Sequence, residues 1–79
     1  MKVEILSPKG LELETEADVV TVPTLSGEIS VLPHHMPIVT VLKAGRMTIK
    51  RPGSDVIREI ESGVLEKTAE KIVILLKKF

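Results

Sequence analysis

Apolar and polar residues alternate along most of the chain. Glu12 separates Leu11 from Leu13, and Ser30 separates Ile29 from Val31, with further glutamates at Glu14 and Glu28. Successive side chains of a strand point to opposite faces, so a period of two predicts half-buried β-strands. Residue types agree: Val, Ile and Thr total 24 residues, and β-branched side chains suit a pleated surface better than a helix. Turn formers recur at Pro8-Lys9-Gly10, Leu25-Ser26-Gly27, Ala44-Gly45, Pro52-Gly53-Ser54-Asp55 and Ser62-Gly63, the rhythm of hairpins in a sandwich or barrel. Together these signals predict strands near 2–6, 11–15, 18–23, 28–32, 38–42, 46–51, 55–61, 64–67 and 71–76.

Two segments depart from the alternation. Ile38 to Leu42 and Ile72 to Leu76 carry apolar residues on both alternating sets, as strands covered on both faces do. Residues 66–78 contain helix formers, but the β-branched lead of Ile72-Val73-Ile74 predicts a turn and a strand there. A two-layer sandwich cannot cover both faces of two strands by itself, so part of the outer apolar surface is expected to serve another protein. The expected fold is all-β, a flattened antiparallel β-sandwich or barrel of about nine or ten short strands. It forms a single domain over residues 1–79, because this length leaves no room for a second core.

Composition narrows the function. The chain has 27 branched aliphatics, one aromatic residue (Phe79) and no Cys, so its core is aliphatic and has no disulfide staples. Cores this small typically supply no more than about 3 to 5 kcal/mol, which makes docking onto a partner a natural further source of stability. Eleven basic and eleven acidic side chains cancel and are interspersed, leaving no field for phosphate backbones or anionic lipid. With one Phe there are no stacking platforms either, and nucleic acid is excluded as a partner. The longest uncharged run, Ile29 to Leu42, is 14 residues and contains Pro33 and Pro37, too short and interrupted to span a bilayer. Lys2, Glu4, Pro8 and Lys9 leave no apolar region for a secretory signal, and the lack of Cys is compatible with a reducing compartment.

Candidate chemistry is sparse. Asp18, Asp55, His34, His35 and scattered glutamates form no recognisable catalytic motif. Adjacent strand side chains would send His34 and His35 to opposite faces, with no further His or Cys to complete a metal site. Gly27, Gly45, Gly53 and Gly63 stand singly and open no helix, so no phosphate-cradling loop is expected. The residues thus predict a non-catalytic interaction domain without cofactor or metal.

One stretch is more specific. Ser26-Gly27-Glu28-Ile29-Ser30-Val31-Leu32-Pro33-His34-His35-Met36-Pro37-Ile38-Val39-Thr40 resembles the signature of the epsilon subunit of F-type ATP synthase, a run of the form E-G-E-L-G-(I/V)-L-P-G-H-A-P-L-L-T. Val3 to Pro8 resembles that family's opening strand, Ala17 to Pro23 its third strand, Ser62 to Glu66 its G-G-(F/I/V)-L-E-V turn, and Ile72 to Leu75 its closing strand. The resemblance covers nearly the whole chain. Departures are Ser30, His34 and Ser62, each where the pattern has Gly, and Met36 where it has Ala. A positive φ at His34 would be an unusual choice for a non-glycine residue. The chain ends at Phe79, without the family's C-terminal pair of helices, so neither their inhibitory movement nor ATP binding is expected of it.

The resemblance implies a non-catalytic rotor domain that grips the gamma shaft and stands on the ring of membrane c subunits. Its place would be the cytoplasmic face of the membrane, or the organelle equivalent, with the membrane touched only through the complex. By position in the motif, Glu28 and His35 are the expected c-ring contacts, with Glu28 accepting from a basic loop side chain. Ser7, Leu42 and Leu65 are the expected gamma-side positions. The turn at Ser26 to Glu28 and the loop Pro33 to Pro37 are expected to form one stiff end of the sandwich. An alternative from another class is a biotinyl- or lipoyl-type carrier domain. Lys43-Ala44-Gly45 lacks the flanking residues of a carrier lysine, and Met47 is followed by Thr48.

Overall fold

The computed structural model describes residues 1–34 and 36–77. Nine strands follow one another: β1 (Lys2–Ser7), β2 (Gly10–Glu16), β3 (Val19–Thr24), β4 (Gly27–Val31), β5 (Ile38–Leu42), β6 (Gly45–Lys50), β7 (Val56–Ile60), β8 (Gly63–Lys67) and β9 (Lys71–Leu76). Each lies within one or two residues of the segment the alternation predicts, and no helix occurs among the described residues. The competing helix after Glu66 is stopped by Thr68. Its amide donates to the Lys71 carbonyl at 2.9 Å, and its hydroxyl accepts from the Lys71 amide at 3.3 Å, closing the β8–β9 turn.

The strands form one curled sheet in the order β2-β1-β9-β8-β5-β3-β6-β7, with β4 on the far side of β3. A single residue pair, Thr24 with Leu42, joins β3 to β5, and the sheet folds there into two layers. Layer I is β2-β1-β9-β8-β5 and layer II is β4-β3-β6-β7. The all-β sandwich is as expected, and its extents of 26 × 25 × 19 Å give the flattened form. Pairings are antiparallel with one exception: β1 runs parallel to β9, so the sheet is mixed.

One face of each layer builds the core. Val3, Ile5, Leu42, Leu65, Ile72 and Ile74 from layer I meet Val20, Val22, Val31, Met47, Ile49 and Ile60 from layer II. The edge strand β2 carries Glu12, Glu14 and Glu16, charges that discourage pairing with a second sheet edge. Lys67 lies on the inward set of β8, 3% exposed, its ammonium donating to the Thr68 carbonyl at 3.0 Å. Its aliphatic stem fills the end of the core while the charge reaches backbone at the rim.

Candidate docking surfaces

The hairpin between β3 and β4 positions Glu28. Thr24 is buried, and its hydroxyl donates to the Gly27 carbonyl at 2.6 Å while accepting from the Ser26 amide at 3.1 Å. Gly27 takes φ 111°, a conformation open to glycine and strained for other residues. The pinned turn presents Leu25, Ser26 and Glu28 to solvent. The carboxylate of Glu28 has no hydrogen bond or ion pair among the described residues.

Topology separates this turn from the loop that follows β4. Thr24 and Gly27 lie at the Leu42 end of β5. Residues 32–34 leave the opposite end of β4, and Met36-Pro37 enters β5 at Ile38, which pairs with Lys67. The expected single stiff end is therefore two ends, set apart by the length of β4. His35 lies outside the described residues. His34 needs no left-handed backbone, since no described non-glycine residue has positive φ.

A second surface covers the outer face of layer I. The registers align Val41 with Val64, Val64 with Leu75, Leu75 with Leu6, and Leu6 with Leu11. Five apolar side chains thus form a row across five strands, about 19 Å long at ordinary strand spacing. Val41 is 51% exposed, Leu75 50% and Leu11 56%, and Val39 beside the row is 69% exposed. The outer face of layer II is mostly polar: Thr21 and Ser30 share a hydrogen bond of 2.9 Å, and Arg46 pairs with Glu59 at 3.6 Å. Among the described residues, only layer I leaves a continuous apolar face uncovered.

The expected gamma-side residues fall on this layer, with a correction. Leu42 and Leu65 are 2% and 0% exposed, their side chains in the core. Because strand side chains alternate, the residues facing outward on β5 and β8 are Val41 and Val64. Ser7 sits at the end of β1 next to the row, half-buried, its hydroxyl donating to Glu12 and accepting from the Lys9 amide at 3.1 Å. A register shift between Ile5 and Leu6 leaves Glu12 unpaired in the ladder, which frees it for that bond. The anchoring role of Thr24 was not expected from sequence; its signal is a hydroxyl two residues before Ser26 in a turn.

The Glu4 end of the neighbouring cross-strand row is electrostatically satisfied. Lys71 and Lys2 approach Glu4 at 3.3 and 3.6 Å, and Lys2 reaches Glu14 at 3.5 Å. The hydrogen bond from Lys71, supported by the charge of Lys2, holds the Glu4 carboxyl below the ordinary glutamate range.

Known proteins agree with this architecture. The family profile described as ATP synthase, Delta/Epsilon chain, beta-sandwich domain matches residues 1–79. The ATP synthase epsilon chain of Neisseria meningitidis is 35% identical over 77 residues, covering 95% of this chain and 55% of that relative. The one from Aquifex aeolicus is 37% identical over 75 residues, covering 95% and 56%. This chain therefore spans about half the length of the curated relatives it matches. A chain in the central stalk and c-ring structure of the Tetrahymena thermophila mitochondrial ATP synthase superposes with a TM-score of 0.83 at 15% identity, covering 99% of this chain and 63% of that one. Another in the Euglena gracilis mitochondrial ATP synthase gives 0.83 at 20% identity, covering 94% and 48%; at such identities both speak for the fold. With the profile matched from end to end and epsilon chains aligned over nearly all of its residues, the chain belongs to the ATP synthase delta/epsilon β-sandwich family.

Proposed function

We propose that this chain is the non-catalytic rotor-foot domain of a rotary ATP synthase, coupling the gamma shaft to the membrane c-ring. The observation that carries the reading is the presence of two separate surfaces of opposite character. One is an apolar face on layer I; the other is a stiff turn ending in the Glu28 carboxylate, which has no partner among the described residues. An apolar row flanked by charges suits a lasting contact with a shaft. Glu28, held out by the Thr24 anchor, suits a polar ring loop with a basic side chain. The gamma-facing residues are then Val41, Val64 and Leu75; Ser7, on the alternating set of the buried Val3 and Ile5, ends β1 at the margin of that face. His35, the other residue that the motif puts at the ring, lies outside the described residues. In this reading the domain meets the membrane only through the complex.

Calorimetric titration with the same organism's gamma subunit, followed by addition of an assembled c-ring, tests the proposal. Wild type forms a saturable one-to-one complex with gamma that docks on the ring. Glu28→Lys retains gamma binding and weakens ring docking by about tenfold or more. A folded chain that fails to bind gamma at micromolar concentration contradicts the assignment.

A further inference from the structure

We propose that Glu66 sets the register of the shaft on layer I by pairing with a lysine or arginine that the partner carries inside an otherwise apolar contact strip; this rests on reading that face as the shaft-docking surface. Glu66 lies on the outward set of β8, opposite Val39 on one side and Val73 on the other. Val64 precedes it on the same face, and Val41 and Leu75 are diagonal neighbours through their pairing with Val64. Its carboxylate is exposed and makes no hydrogen bond or ion pair among the described residues. Glu4, in the same cross-strand row, is held by both Lys2 and Lys71. The face therefore carries a lone anion flanked by valines on both neighbouring strands.

Position decides what that anion does. A charge at the rim of a contact stays in water and contributes little. Glu66 has apolar side chains on both cross-strand sides, so a partner that covers Val39, Val41 and Val73 also covers it. A desolvated carboxylate without a counter-charge opposes docking strongly, whereas a hydrogen-bonded cation offsets that cost and fixes where the two surfaces meet. A purely apolar partner strip is thus penalised, and a strip with one cation in the matching place is selected.

The same charge argues against two other occupants. A second copy meeting this face about a two-fold axis would have to offer Glu66 one of the lysines of the same face, and Lys2 and Lys71 are already engaged with Glu4. An anionic lipid surface would meet Glu66, unpaired among the described residues, while Lys2 and Lys71 are already engaged with Glu4 and Glu14, so the face offers no excess of positive charge for attraction. A protein partner with an embedded cation remains.

The test compares wild type, Glu66→Gln, Glu66→Lys and Val41→Asp in calorimetric titrations with the same organism's gamma subunit, after thermal melts establish that each chain is folded. Both positions are exposed, so all four chains are expected to fold. The proposal predicts that Val41→Asp abolishes binding. It also predicts that Glu66→Gln weakens binding at least about tenfold, with a smaller salt dependence than wild type, and that Glu66→Lys weakens it further. If Val41→Asp abolishes binding while Glu66→Gln binds within about twofold of wild type, the docking face stands and the role of Glu66 is overturned. If Val41→Asp binds like wild type, the docking face itself is wrong, and the inference about Glu66 falls with it.

Discussion

At Gly63 the packing leaves no space for a side chain. A Cβ built there would lie 2.5 Å from the Leu75 carbonyl oxygen and 3.1 Å from the Leu76 side chain, because Gly63 pairs with Leu42 on one side and Leu76 on the other. This explains which glycine of the family's G-G turn is indispensable here. Ser62 replaces the first without conflict, whereas the second sits where three strands converge. Gly63→Ala is expected to destabilise the fold by about 1 to 3 kcal/mol, the usual cost of overpacking, and chemical denaturation measures it; an unchanged midpoint would mean that the strands part there at little cost. Lys67 is the other residue whose place needed the structure. It follows Glu66 where the family pattern has Val, and only its stem belongs in the core.

At the scale of elements, strands were legible because each carries alternation, β-branched residues and a turn former at its end. Which set faces inward was less legible. In Ile38 to Leu42 both sets are apolar apart from Thr40, and Thr40 belongs to the inward set with Ile38 and Leu42; local pattern therefore could not place Leu42 inside and Val41 outside. Cross-strand registers decide it, and they depend on distant sequence. The parallel pairing of β1 with β9 is likewise invisible locally, since it joins residues nearly the whole chain apart. That pair is reinforced by the Lys71–Glu4 contact at 3.3 Å, which lowers the Glu4 pKa. The folded state then binds that proton less readily than the unfolded chain, so the contribution is present above ~4.3, the ordinary glutamate value, and is lost as pH falls through the lowered folded value. Glu4→Gln should show a shallower fall in melting temperature than wild type when pH is taken from about 6 to about 3. Parallel curves for the two chains would show that the contact carries no linked stability.

For the whole molecule, two surfaces on different layers account for a small domain with no catalytic constellation in its sequence. The aliphatic surplus already implied an outer apolar face, and the structure assigns that surplus to layer I while layer II stays mostly polar. The signature around Glu28 was legible as a motif; its separation from the following loop was not, because only the β3–β5 junction shows at which end of the sandwich each lies. The central claim is that layer I, and not layer II, meets the shaft. The chain has no native Cys, so single cysteines report each face cleanly. Val64→Cys places a thiol on the outer face of layer I, and Lys50→Cys places one on the outer face of layer II, since Lys50 alternates with the buried Ile49. The decisive measurement is the maleimide labelling rate of each variant, free and bound to the same organism's gamma subunit. The account predicts that gamma slows labelling at position 64 by about tenfold or more and leaves position 50 unchanged. Protection at position 50 with free labelling at position 64 would contradict it.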